Sequence, residues 1–314
     1  MFGVMRRKQE GWLAVSMQAG RIDFAHVVRP LGRRPKLMRL ESYARSNNPA
    51  AALDLLRRQK GFGKYCCTTL LDAGSYQMLQ LDAPEVPEEE LREAMRWRLK
   101  DMLEYPVEAA TVDVLRLTVG QAVGRTPQVI AVAASDAVLA PRIRAFDDAH
   151  LDLRAVDIPE MAQRNIAAFF EDENRGLAML AFDADGGLLT LTYRGELCVS
   201  RRIEVSTGQF EMADDTRRAQ LIERVGLELQ RSLDNFDRMY TMISVSKVVI
   251  GPCPVAPGLV EALREYVYVP VESIDLTSVI DCEAVPEIRN AALQAERLTV
   301  IGAALRDEGK EGAA

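Results

Sequence analysis

The sequence predicts an α/β protein of two lobes, each built on a βββαβ unit, with a small α/β subdomain inserted between the units. Three observations carry this. Two separate stretches each read as three alternating strands followed by a helix and a further strand. A Pro- and Glu-rich helix start at 84–90 interrupts the chain between them. The 314 residues, 48% of them hydrophobic, suffice for more than one core. The predicted partition gives residues 1–83 to the first lobe, with 151–172 returning to it, 84–150 to the insertion and 173–314 to the second lobe.

In the first unit, apolar alternation marks strands at Trp12–Met17, Ile22–Val28 and Lys36–Tyr43. They are joined by Gln18-Ala19-Gly20-Arg21 and by a turn carrying Pro30, Arg33, Arg34 and Pro35. A helix over Pro49–Lys60 presents Ala52, Leu55 and Leu56 to one side, and Gly61-Phe62-Gly63 closes it before a strand at Tyr65–Leu71. The insertion opens with Pro84, Pro87 and three glutamates, which suit the first turn of a helix. That helix is read over Glu88–Tyr105, with an apolar stripe of Leu91, Met95, Leu99, Met102 and Leu103. Strands at Thr111–Thr118 and Gln128–Ala133 and a helix over Asp136–Ala149 behind Ser135 complete it. The chain is then read as returning to the first lobe through Leu153–Asp157 and a helix over Pro159–Phe170.

The second unit has strands at Leu177–Phe182, Leu188–Tyr193 and Glu196–Ile203, a helix from about Thr216 to Ile243, and a strand at Lys247–Ile250. Leu221, Val225, Leu229, Leu233, Phe236 and Tyr240 recur three or four apart along that helix, so one face is buried. Two such lobes facing one another create a cleft, where ligands commonly sit. Its candidate ligand element is the hairpin LAMLAFDADGGLLTL, in which a strand delivers Asp183 into a turn at Gly186-Gly187. Bare N–H groups and a carboxylate there could face a polyphosphate and its hydrated metal; most such turns are plain hairpins.

Composition narrows the classes. The net charge is −7, yet residues 1–64 hold 14 basic and 4 acidic side chains, leaving 25 and 42 for the rest. A basic end could face anionic lipid or nucleic acid, but runs such as Arg33-Arg34 and Lys36 read first as solvated loop charge, and few aromatics are interleaved to stack on bases. Nucleic acid is therefore not an expected partner. Five scattered cysteines, an odd number without ligand spacing, read as reduced core thiols. Two distant histidines, His26 and His150, argue against a histidine metal site or a Ser-His-Asp triad. Met5-Arg6-Arg7-Lys8 is followed by Gln9-Glu10-Gly11 rather than an apolar run, so no export signal is read, and the apolar runs are of strand length. Membrane association is expected only through a partner or a surface patch, and the tail Asp307–Ala314 reads as frayed.

Four segments carry a family resemblance: LREAMRWRLKDMLEYPVEAATVDVL at 91–115, FDADGGLLTL at 182–191, LELQRSLDNFDRMY at 227–240 and LTVIGAALR at 298–306. In this order and spacing they resemble the actin-like fold and, within it, the PilM and MshI branch of type IV pilus assembly proteins. The resemblance implies a cytoplasmic scaffold, peripheral to the inner membrane, that binds the cytoplasmic tail of a PilN-like partner in a groove beside the insertion. It leaves self-association open. Met95, Trp97 and Met102 are the implied partner surface, although Met95 and Met102 could instead fill the subdomain core.

Some members bind ATP, which implies ATP with magnesium held at Asp183, Gly186, Gly187, Glu228 and Gly251. Glu228 reads equally as a salt-bridged surface residue. The sequence departs from the nucleotide-binding pattern at three places. Ser16 stands where an aspartate is expected in the first hairpin, Asp185 intrudes in the second, and Pro252 follows Gly251 and removes an N–H. The preferred expectation is a scaffold with a degenerate nucleotide site and no catalytic residues. The alternatives are an actin-like ATPase or kinase using Asp183 and Gly186-Gly187, and an L-type cytoplasmic component of type II secretion.

Overall fold

The computed structural model describes residues 10–18, 20–44, 48–119 and 126–307. The basic start Met5–Lys8, Ala19 of the first turn and the tail beyond Asp307 lie outside the described residues. In chain order, the first lobe begins with β1 (Trp12–Gln18), β2 (Arg21–Val28), β3 (Lys36–Ala44), α1 (Pro49–Lys60) and β4 (Cys66–Leu70). Next come β5 (Tyr76–Asp82), α2 (Glu88–Leu99), β6 (Ala110–Leu117) and β7 (Gln128–Ser135), followed by α3 (Asp136–Asp148), β8 (Asp152–Asp157) and α4 (Pro159–Ala167). The second lobe comprises β9 (Gly176–Phe182), β10 (Gly187–Tyr193), β11 (Glu196–Ile203), α5 (Thr207–Glu211), α6 (Asp215–Met239), β12 (Val245–Ile250), α7 (Leu259–Leu263), β13 (Val271–Ser273) and α8 (Ala291–Ala304).

The two large sheets have one topology. Their orders are β3-β2-β1-β4-β8 and β11-β10-β9-β12-β13, antiparallel through the first three strands and parallel through the last three. The internal repeat is therefore longer than the sequence suggests: α3-β8-α4 and α7-β13-α8 match as well, giving βββαβαβα twice. Each first strand is a nearly unbroken apolar run, as a strand buried on both faces requires. Leu13, Val15, Ile22 and Phe24 pack against the outer helices through Leu53, Leu56 and Phe146, while Ala14, Ala25 and Val27 face the other lobe. In the second sheet Ala178, Leu180 and Phe182 face α6, and Leu177, Met179 and Ala181 face the first lobe.

The lobes exchange their last helices. α4 leaves the first sheet but packs on the second, where buried Gln163 donates from Nε2 to the carbonyls of Met179 (2.9 Å) and Leu188 (3.0 Å) and to Thr190 Oγ1 (2.9 Å). α8 leaves the second sheet and lies across β1, β2 and β4. Arg297 of α8 pairs with buried Asp23 at 3.2 Å, and Arg306, just beyond α8, pairs with buried Asp157 at 3.1 Å. Where the helices cross, a Cβ added at Gly302 would stand 2.3 Å from the Ala162 carbonyl oxygen, and Asn165 Nδ2 donates to the Gly302 carbonyl at 3.0 Å. The helix read as returning to the first lobe is thus shared between the lobes.

Two boundaries differ from the sequence expectation. β5 pairs with β7 in a third sheet of order β5-β7-β6, so the insertion begins before Pro84. α3 belongs to the first lobe instead, because Ala145, Phe146 and Ala149 fill that lobe's core. The insertion also reaches the second lobe: Glu196 accepts from the Thr118 N–H at 2.9 Å, and Gln80 donates to the Tyr240 hydroxyl at 3.1 Å.

Gly302→Ala tests the crossing. An alanine would ordinarily strengthen a helix by about 1 kcal/mol, but here the added methyl meets a backbone oxygen that cannot rotate away. Urea unfolding should show a loss of about 1–3 kcal/mol; an unchanged or raised midpoint would show that the helices are not in contact.

Candidate functional site

The hairpin between β9 and β10 supplies the carboxylate and glycines singled out by sequence. Asp183 Oδ1 accepts from the N–H groups of Asp185 (2.8 Å) and Gly186 (3.0 Å), and Asp183 N–H donates to the Gly186 carbonyl at 2.9 Å. The carboxylate caps its own turn, taking up N–H groups that a phosphate would need. Its other oxygen faces the guanidinium of Arg202, 3.9 Å away, and the Asp183 carbonyl accepts from Thr207 N–H at 3.0 Å. Burial pushes the Asp183 carboxyl above its ordinary value, while Arg202 and the two N–H groups pull against that shift.

The glycines also have structural causes. Gly186 has φ of 142°, and a Cβ there would lie 2.7 Å from the Ile203 carbonyl oxygen. At Gly187 it would meet the Phe182 ring at 2.9 Å, and at Gly251 the Ala181 Cβ at 3.0 Å. A glycine kept for a ligand's approach would point an added Cβ into open space. These three point into protein, and the Gly251 N–H already donates to the Leu180 carbonyl at 2.8 Å. Glu228 forms ion pairs with Arg201 at 2.6 Å and Arg231 at 3.0 Å.

In the first hairpin, Ser16 is buried opposite Asp23 in the β1–β2 register. Asp23 is only 1% exposed and is flanked by Arg21 Nε at 2.9 Å and Arg297 at 3.2 Å. The residues present do not fit magnesium-bound nucleotide: the Asp185 and Gly186 N–H groups are taken by Asp183, a serine stands in the first hairpin where the resemblance implies a metal-holding carboxylate, and Pro252 supplies no N–H beside Gly251. Among the described residues no group of three or more His, Cys, Asp and Glu side chains is arranged to hold a metal ion.

One cluster at this site has no counterpart in the sequence reading. Arg202 lies between Asp183 and Glu160 of α4, with Nε 3.6 Å from Glu160 Oε1, and Glu160 also accepts from the Tyr76 hydroxyl of β5. Burial and the facing carboxylate push the Tyr76 phenol well up, so it remains a donor. Burial favours the neutral Arg202, but Glu160, Tyr76 and Asp183 together outweigh it and hold the guanidinium above its ordinary value. The signal was the Arg201-Arg202 pair closing an apolar strand: strand alternation sends Arg201 to Glu228 and Arg202 to Glu160. Three parts of the chain, the insertion, α4 and the second hairpin, meet on this cluster.

The sequence-predicted partner residues separate. Met95 is fully buried with Leu91 and Leu99 in the subdomain core, which removes it from any surface. α2 ends at Leu99 rather than Tyr105, so Met102 falls in the turn beyond it, out of the helical stripe. Trp97 is 69% and Met102 45% exposed, and the Lys100 ammonium lies 6.0 Å from the centre of the Trp97 ring.

No protein-family model and no curated protein sequence matches the chain. Solved structures do. The chain is similar to the PilM-PilN type IV pilus biogenesis complex, with a TM-score of 0.75 and 19% identity, covering 96% of this chain and 98% of that one. It is also similar to a Bacteroides thetaiotaomicron protein of actin-like ATPase fold and unknown function, with a TM-score of 0.50, 12% identity and coverage of 94% and 99%.

Self-capping by Asp183 makes a prediction that metal binding does not. Asp183→Asn keeps the acceptor oxygen and should leave stability within about 1 kcal/mol of the parent, whereas Asp183→Ala strands two N–H groups and should cost about 1–2 kcal/mol in urea unfolding. Equal effects of the two would contradict the capping role. From its duplicated sheets to its exchanged helices, the chain has the actin-like fold.

Proposed function

We propose that this chain is a non-catalytic scaffold of a type IV or MSHA-type pilus assembly platform, docking at the cytoplasmic face of the inner membrane by binding the cytoplasmic tail of a PilN-like protein. The observation that carries the non-catalytic part is the hairpin in which Asp183 occupies the N–H groups of its own turn. The pilus part is supported by full-length similarity to a PilM-PilN complex, at an identity that speaks for the fold alone.

The proposed docking surface lies around the end of α2. An exposed tryptophan supplies a large rigid contact area, and a neighbouring methionine adapts to the partner's shape. Trp97 and Met102 are the exposed large apolar side chains among the described residues of the insertion. No helix among the described residues is long and apolar enough to cross a membrane, so the proposed tether is the partner's.

Co-purification with the cytoplasmic tail of a PilN-like protein tests this reading. The parent chain should retain the tail, and Trp97→Glu should weaken retention by about thirtyfold or more without moving the thermal midpoint. Absence of association with any pilus inner-membrane component would overturn the function; parent-strength retention by Trp97→Glu would remove Trp97 from the surface.

A further inference from the structure

The turn between β2 and β3 carries side chains that its backbone does not require. Arg33 N–H donates to the Pro30 carbonyl at 3.2 Å, Gly32 supplies a left-handed φ of 67°, and Pro30 and Pro35 fix the entry and exit. Any small polar residue would serve at position 31. The chain places Leu31 there, wholly exposed.

Basic residues flank this leucine along the chain. Arg29 is anchored by the Leu305 carbonyl at 2.8 Å and the Phe169 ring at 5.3 Å, with Asp307 at 3.8 Å, and Lys36 lies 3.6 Å from Asp281. Arg33 and Arg34 are exposed and make no ion pair among the described residues. Met38 of the edge strand β3, 42% exposed, adds apolar surface to the same hairpin. The skew is not local chance alone: residues 1–64 are strongly basic in a chain of net charge −7.

An exposed apolar tip with exposed guanidinium groups beside it in the turn suits a lipid headgroup layer, where the leucine reaches the acyl boundary and the arginines meet phosphates. Single-stranded nucleic acid fits less well, since the tip offers no aromatic ring for stacking. We infer that the β2–β3 hairpin tip is a peripheral membrane contact selective for anionic phospholipid, made by Leu31, Arg33 and Arg34. One leucine and two arginines give a weak, reversible contact, and stable attachment takes a second signal such as a tethered partner. The inference rests on the hairpin alone and stands apart from the pilus reading.

Vesicle flotation of the full chain tests it. The parent protein should float with phosphatidylglycerol-rich vesicles at low ionic strength, stay behind with pure phosphatidylcholine, and be released by added salt. Arg33→Ala with Arg34→Ala should lower partitioning about thirtyfold, and Leu31→Ser about fivefold. These positions lie outside every core, so unchanged thermal midpoints confirm intact folds. Parent protein that ignores anionic vesicles, or floats as well with both arginines removed, overturns the proposal. So does protein that binds a labelled single-stranded RNA through these arginines while ignoring vesicles.

Discussion

Everything in this molecule depends on the crossing of α4 and α8. Each lobe donates its last helix to the other's sheet, and the two helices touch at Gly302 against the Ala162 carbonyl, closer than any residue with a Cβ permits. Because α8 is buried on nearly all sides, its polar residues must find partners inside the protein. Gln294 does so with the Leu276 N–H and Asp275, and Arg297 with Asp23. The ion pairs cost desolvation that their attraction only partly offsets, so their contribution is to fix where α8 lies rather than to add much stability.

That placement shapes the cleft. α8 brings Arg297 against the inner face of the first hairpin, and α4 brings Glu160 toward the second, where Arg202 and Asp183 complete a chain of charges ending at Tyr76 of the insertion. The positive charges facing the acidic residues of both hairpins are the protein's own. Glycines that resemble ligand contacts are accounted for by Ile203, Phe182 and Ala181 pressing on them. Asp183 engages two N–H groups of its own turn, and the insertion is hydrogen-bonded to Glu160 of α4 and to Tyr240 and Glu196 of the second lobe.

Much of the fold was legible because its strands alternate cleanly. Leu13, Val15 and Met17 against Ala14 and Ser16 on β1 announce two faces, and α6 shows its buried stripe. β5 was missed because Tyr76–Leu81 is half-buried throughout and shows no contrast between faces. α8 was missed for the opposite reason: a helix buried all round has little amphipathic periodicity, although its Gly302 lay within the recognised IGAALR motif. At the site, the sequence located Asp183 and the glycines but not what engages them. Asp23 and Arg297 are 274 residues apart, and no local spacing links them. Met95 and Trp97, two residues apart on one helix and so about 200° apart around its axis, fall on nearly opposite faces, one in the core and one at the surface.

The most direct measurement is calorimetric titration of the purified chain with ATP and magnesium. A hairpin whose Asp185 and Gly186 N–H groups are already taken by Asp183 predicts no saturable heat in the parent protein. Saturable binding that disappears in Asp183→Ala would contradict it, showing that the turn opens to nucleotide and that the charges gathered there yield to a ligand.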